Sequence, residues 1–130
     1  MSLKQPGDKI MMEYHFTIVE TLIDWIDKNL SESLQIDDIA EKSGFSKWYL
    51  QRIFLRVTSR NIAEFIRDSR LNKAAVDLAN TNDHLIEISM RYGYETQQSF
   101  SRAFKSKFDI PPGRYRKKHS SSYFSKVNSL

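Results

Sequence analysis

A chain of 130 residues with a formal charge of only +4 and no cysteine is one domain's worth of polypeptide, and it has neither a disulfide framework nor a zinc finger available to it. Three prolines, four glycines and no β-rich alternating run point to an all-α fold. No apolar run reaches the roughly 18 residues of a membrane span, and no basic-then-apolar leader precedes the first element.

Taken in order, residues 1–12 contain Pro6 and Gly7 without helical period and read as a flexible N-terminal arm. The arm and the initial Met1 lead us to expect a complete small protein. Phe16, Val19, Ile23, Ile26 and Leu30 then form a helical stripe with Glu20, Asp24 and Asp27 outside it, and Trp25 at that spacing reads as core. Residues 29–33 break the helix. Ile36, Ile39, Ala40 and Ser43 make the inner face of the next one. Its cap is open between Ser33 and Asp37, with Gln35 a poor candidate.

Gly44 can supply the positive φ that ends this helix, and Ser46 can cap its successor. In that successor Leu50, Ile53, Phe54 and Val57 recur at i, i+3, i+4, i+7, while Trp48, Gln51 and Arg52 line up on the other side. A buried face and an outward face carrying amide and guanidinium groups share one helix. That is the division a helix-turn-helix recognition element needs in a major groove. For Trp48 the competing reading is a partly buried packing residue.

Residues 61–80 run without Gly or Pro through Ile62, Phe65, Ile66, Leu71, Ala74, Ala75 and Leu78, so one long helix is expected there. Twenty residues at about 1.5 Å each give roughly 30 Å, close to the roughly 34 Å between successive major-groove faces. Residues 80–83 break it, and Asp83 is placed to cap a helix reaching Tyr92. A further helix spans about 96–108 with Phe100, Ala103, Phe104 and Phe108 inward. Pro111 and Pro112 stop it, and Pro112 can begin a last short helix through 115–117.

The second half repeats the first. A shift of 49 residues places Ile88, Ser89, Gly93 and Tyr94 on Ile39, Ala40, Gly44 and Phe45, and a shift of 50 places Phe100, Arg102 and Phe104 on Leu50, Arg52 and Phe54. One extra residue lies in the second turn. The outward triplet Gln98, Ser101, Arg102 thereby matches Trp48, Gln51, Arg52. Two copies are too few for a solenoid, so the fold class is all-α with about seven helices. Two homeodomain-like helix-turn-helix subdomains, 13–60 and 81–117, are joined by a linker helix, 61–80, and followed by a C-terminal tail, 118–130. The helices starting near Asn61 and Pro112 occupy matching places, and their free N–H groups suit a backbone phosphate.

Charge is segregated along the chain. Between Glu13 and Lys42 the acids Glu13, Glu20, Asp24, Asp27, Glu32, Asp37, Asp38 and Glu41 face only Lys28 and Lys42. Between Gly44 and Arg60 there is no acid, and Lys47, Arg52, Arg56 and Arg60 are basic; the last twenty residues are likewise free of acids. A basic face steers a polyanion. The glycines stand singly, the histidines His15, His84 and His119 lie far apart, and no serine has an elbow or paired base, so neither metal, nor phosphate-loop, nor nucleophilic chemistry is expected.

The doubled motif resembles the DNA-binding domain of the AraC/XylS family, and FKSKFDIPPGRYR at 104–116 resembles that family's signature. SKWYLQR at 46–52 and ETQQSFSR at 95–102 are similar to its small stand-alone activators. The departures are Asp109, where many members have glycine, and Ser59 at the matching place in the first copy. The resemblance covers about residues 16–117 and implies an AraC-type DNA-binding domain over 13–117. It further implies a monomeric, cytoplasmic, nucleoid-associated bacterial activator without cofactor or small-molecule effector. Such a protein reads an asymmetric site in double-stranded DNA with two helices in successive major grooves, and recruits RNA polymerase to stress or multidrug-resistance promoters.

Residue by residue, the resemblance makes Trp48, Gln51, Arg52, Gln97, Gln98 and Arg102 the base readers, with Ser99 and Ser101 adding weaker contacts. Arginine suits guanine and glutamine suits adenine by bidentate pairing. Lys47, Arg56, Arg67, Lys105 and Arg114 are the phosphate candidates. Two alternatives stand beside this reading: a helical adaptor whose basic face binds an acidic protein, and a DNA-binding domain trimmed from a larger ligand-responsive regulator.

Overall fold

The computed structural model describes residues 6–32 and 34–120. Within them lie seven helices and no strand: α1 (Pro6–Lys28), α2 (Ile36–Ser43), α3 (Lys47–Thr58), α4 (Ile62–Asn80), α5 (Leu85–Arg91), α6 (Gln97–Phe108) and α7 (Pro112–His119). They fall into two compact units. The first ends at Ile66, and the second takes over at Arg67 within α4 and also claims the short segment at Ser31.

In the first unit α1 packs on α3 and α3 on α2. The core holds Val19, Leu22, Ile26, Leu30, Ile39, Leu50, Ile53, Phe54, Ile62 and Ile66, each fully buried side chain contributing about 1.5–3 kcal/mol. The inner stripe of α1 is rotated from the expected one. His15, Val19, Leu22, Ile26 and Leu30 are buried, whereas Phe16 is exposed and Ile23 only half-buried. Both sets fit a helical period; on the buried face Leu22 joins the core and His15 Nε2 meets the Tyr49 hydroxyl at 3.1 Å. Trp25 is half-buried, with the Lys42 ammonium 5.5 Å from its ring centre.

The helix also begins earlier than the arm assigned to residues 1–12. Residues 6–12 are its first turns, starting at a proline whose missing N–H is one a helix leaves unpaired in any case. The sequence period misses them because it reports burial, and Ile10, Met11 and Met12 are exposed. Residues 1–5, the candidate cap Ser33 and the tail from 121 to 130 lie outside the described residues.

Local chemistry shapes the turn. The residue before α2 is Gln35, which makes no side-chain cap, and Gly44 closes the helix at φ 77° with its N–H on Ala40 O at 3.1 Å. Ser43, expected to face inward, is exposed instead; its hydroxyl donates to Ala40 O and accepts from Phe45 N–H, bracing the turn. Ser46 then caps α3 by accepting from Tyr49 N–H at 3.1 Å.

The second unit repeats the plan around aromatic rings. α5 packs on α6 and α6 on α7. Phe100 and Phe104 are fully buried, and ring centroids of Phe104 lie 5.7 Å from Phe100, 4.5 Å from Phe108 and 5.3 Å from Tyr115. Truncating either phenylalanine to alanine would cost about 3–5 kcal/mol. Gly93 takes φ 86°, a left-handed conformation that strains an L side chain, while a Cβ there would meet the Arg70 guanidinium at an ordinary contact distance of 3.6 Å. Thr96 caps α6 through Ser99 N–H at 3.0 Å.

Asp83 does not cap α5. That place belongs to His84, without a side-chain bond, and the Asp83 carboxylate pairs with Arg91 instead. The final helix runs two residues past Lys117, to His119.

Candidate nucleic-acid interface

Helices α3 and α6 are built alike. Each has twelve residues, each is N-capped by a hydroxyl that accepts from the third residue of the helix, and each ends on a left-handed residue. Leu50, Ile53 and Phe54 anchor the first and Phe100 and Phe104 the second, which fixes what faces outward. Trp48, Gln51 and Arg52 are all exposed on α3, and Gln97, Gln98 and Arg102 on α6. Trp48 keeps 66% of its surface accessible, so it is not a packing residue of its own unit.

The outward groups differ in how free they are. The Arg52 guanidinium sits 5.2 Å from the Trp48 ring centre, which pre-orients two neighbours on one face. Ser99 is exposed, but its hydroxyl donates to Thr96 O and accepts from the Thr96 hydroxyl, so capping already occupies it. Ser101 is half-buried.

Of the basic side chains, Lys47, Arg56, Arg67, Lys105 and Arg114 are exposed. Lys47 lies 3.5 Å from Asp37 of α2. The two helix starts considered as anion sites also differ. At α4, Asn61 Oδ1 accepts from Glu64 N–H at 2.8 Å and an acid occupies the first turn, whereas α7 has neither a side-chain cap nor a first-turn acid.

Sequence spacing does not reveal the polar lock of the second unit. Arg91 donates to Asp77 at 2.8 Å and to Asp83 at 2.9 Å, and Tyr92 donates to Asp77 at 2.6 Å. Arg116 of α7 donates to Leu78 O at 3.1 Å and to Asp83 O at 2.6 Å. The lock ties α4, α5 and α7 into the frame that carries α6. Arg91's hydrogen bonds, with Asp83 first, hold the Asp83 carboxyl below the ordinary carboxylate range and push the guanidinium's own pKa up. Burial, then the bond to Asp77, raises the Tyr92 hydroxyl to about 12. Among the described residues no cluster of three or more His, Cys, Asp or Glu is placed to hold a metal, and no helix is long and apolar enough to cross a membrane.

A doubled helix-turn-helix with two capped helices that turn polar groups outward is the architecture of a DNA-binding transcription regulator, and the relatives it matches are regulators. The family model described as a helix-turn-helix domain matches residues 39–118. Regulatory protein SoxS of Salmonella typhimurium is 49% identical over 102 residues, covering 78% of this chain and 95% of its own. Multiple antibiotic resistance protein MarA of the same organism is 38% identical over 98 residues, 75% of this chain and 77% of its own. A Chromobacterium violaceum transcriptional regulator, described as an AraC-type DNA-binding domain-containing protein, superposes with a TM-score of 0.74 at 25% identity, over 79% of this chain and 92% of that one. The chain belongs to the AraC/XylS family, and within it is similar to SoxS and MarA.

Proposed function

We propose that the protein binds an asymmetric site in double-stranded DNA as a monomer and places α3 and α6 in successive major grooves. In this reading Trp48, Gln51 and Arg52 read one block of bases, and Gln97, Gln98 and Arg102 read the other. Ser101 adds a weaker contact, and Ser99 serves mainly as part of the cap. Lys47, Arg56, Arg67, Lys105 and Arg114 contact phosphates, and the uncapped start of α7 offers backbone N–H groups to one more. The observation that carries the proposal is the duplication itself: two helices of equal length, with the same cap and ending, each turn arginine and amide groups away from a buried stripe. Nothing in packing requires such groups to face outward in both copies.

Bound in this way, the protein acts in the cytoplasm, at the nucleoid, as an activator that recruits RNA polymerase to stress or multidrug-resistance promoters. Kinship with SoxS and MarA supports that part of the reading.

Selection from random duplex DNA tests the binding step. The expected product is a non-palindromic site with two short specified blocks about one helical turn apart, occupied by a single chain. Transcription with purified RNA polymerase from a promoter carrying that site then tests activation, and more transcript is expected. No enrichment over competitor DNA would overturn the reading in favour of a protein partner for the basic face.

A further inference from the structure

We propose that His15, in α1, is the positioning residue of the first reader helix, acting through Tyr49. The inference rests on the base-reading role of α3 and goes beyond it by assigning what sets that helix's rotation. His15 is only 7% exposed and lies where α1 packs against α3. Its Nε2 is 3.1 Å from the Tyr49 hydroxyl, and the two rings meet edge-on with centroids 5.8 Å apart.

Tyr49 stands directly after Trp48, two residues before Gln51 and three before Arg52. It is held at three points. Its N–H donates to the Ser46 hydroxyl, its ring lies 5.2 Å from Phe45, and its hydroxyl reaches His15. The first two contacts are local to the turn and the helix start; only the third ties the first turn of α3 to another helix through a directional bond. A helix docked on an apolar stripe alone can roll by several degrees at little cost, whereas readout by bidentate groups tolerates little roll.

A second feature sets His15 apart from an ordinary core residue. Its Nδ1 is buried and has no hydrogen-bond partner, so the imidazole sits there at an energetic disadvantage that an apolar ring would avoid. Whichever tautomer is present, one nitrogen serves Tyr49 and the other serves nothing. The arrangement favours orientation over stability. In the second unit the residue matching Tyr49 is Ser99, whose hydroxyl bonds only within its own helix start. The device is therefore confined to the first reader.

That confinement supplies the control. His15→Phe keeps a buried ring and removes both nitrogens; Tyr49→Phe removes a single oxygen. His15→Phe is expected to leave thermal stability near that of the parent, whereas Tyr49→Phe is expected to lower it, because the second imidazole nitrogen then also lacks a partner. Each is expected to speed amide exchange at Tyr49 and Leu50 by about fivefold, the loss of one net hydrogen bond, with α6 amides unchanged. On the selected DNA, each is expected to relax discrimination in the first block by a similar factor and leave the second block intact. The double variant should behave like either single one, and His15→Gln should recover part of the discrimination. The exchange readout is taken on free protein, so it stands even if the DNA-reading proposal fails. Unchanged exchange in the first turn of α3, equal loss in both blocks, or additive losses in the double variant would overturn the positioning role.

Discussion

Ser59 and Asp109 hold the same backbone conformation at the same place in the two halves, φ 61° at one and 68° at the other. The Ser59 N–H donates to Leu55 O and the Asp109 N–H to Lys105 O, both at 2.8 Å. A left-handed conformation costs an L-residue about 1–2 kcal/mol, partly offset in glycine by its greater freedom when unfolded. Ser59→Gly and Asp109→Gly should therefore each stabilise the protein by about 0.5–1 kcal/mol, with the smaller gain at Asp109 because aspartate tolerates this region better. Chemical denaturation of both variants checks the expectation. A loss of stability in either would show that the side chain makes a compensating contact.

These endings also show what sequence conveys and what it withholds. Gly44, the cap Ser46 and the stripe Leu50, Ile53, Phe54 were legible because each depends on neighbours within one or two turns, whereas Thr96, which reads as the first residue of its helix, is the cap. Ser59 and Asp109 depart from the glycine of many family members, yet both helices close on a left-handed residue in the same way. The face of α1 was not legible, since His15 and Phe16 are adjacent and what distinguishes them is packing against α3, including Tyr49, 34 residues away. Asp83 looked like a cap for the same reason: its partner Arg91 is eight residues on and Arg116 thirty-three. At the candidate site, the outward triplets followed from periodicity. Which of those groups are already engaged, as Ser99 is by Thr96 and Lys47 by Asp37, needed coordinates.

The Lys47–Asp37 pair implies a competition. Both side chains are at least half exposed, with 3.5 Å between their charged atoms, so the pair itself is worth little, but a phosphate reaching Lys47 must displace it. Asp37→Asn should tighten binding to specific and scrambled duplex alike, by about two- to threefold at low salt. Fluorescence anisotropy on both duplexes at two salt concentrations measures this. An undiminished gain in a Lys47→Ala background would attribute it to simple removal of a negative charge.

The Trp48–Arg52 stack couples the two side chains, so on the proposed reading they should act on DNA together. An exposed cation–π contact is worth about 0.5–1 kcal/mol, and a good bidentate pair with a base about 1–3 kcal/mol of discrimination. Arg52→Ala should cost the latter and relax one base position. Trp48→Ala should weaken discrimination at that same position as well as at its own, and the double variant should lose less than the sum of the two. Arg102, which has no aromatic stack on α6 among the described contacts, supplies the comparison: Gln98→Ala should leave its base position unchanged. Competition titrations against single-base variants of the selected site resolve all four effects, and strictly additive losses at Trp48 and Arg52 would deny the coupling.

The lock around Arg91 predicts a pH dependence with two limbs. The Asp83 carboxyl is held below its unfolded value, first by the hydrogen bond from Arg91. Its contribution is therefore complete above the unfolded pKa of about 3.9 and is lost as pH falls through the lower folded value. Tyr92 shifts the other way. Raised to about 12 by burial and then by its bond to Asp77, it contributes fully below the unfolded value of about 10, and that contribution fades as pH rises toward 12. Tyr94 is also raised by burial, so the alkaline limb has two sources. Tyr92→Phe should flatten part of that limb and leave the acid limb alone; Arg91→Gln should shrink the acid limb, because Asp83 then loses its main partner. Thermal unfolding between pH 2.5 and 11, with α5 amide exchange followed alongside, would separate the limbs. Since α5 and α7 frame α6, the same Arg91 variant should loosen discrimination in the second base block while sparing the first. An acid limb unchanged by Arg91→Gln would mean that Asp83 draws its stabilisation from elsewhere, with the Thr81 hydroxyl and then Arg116 the next candidates.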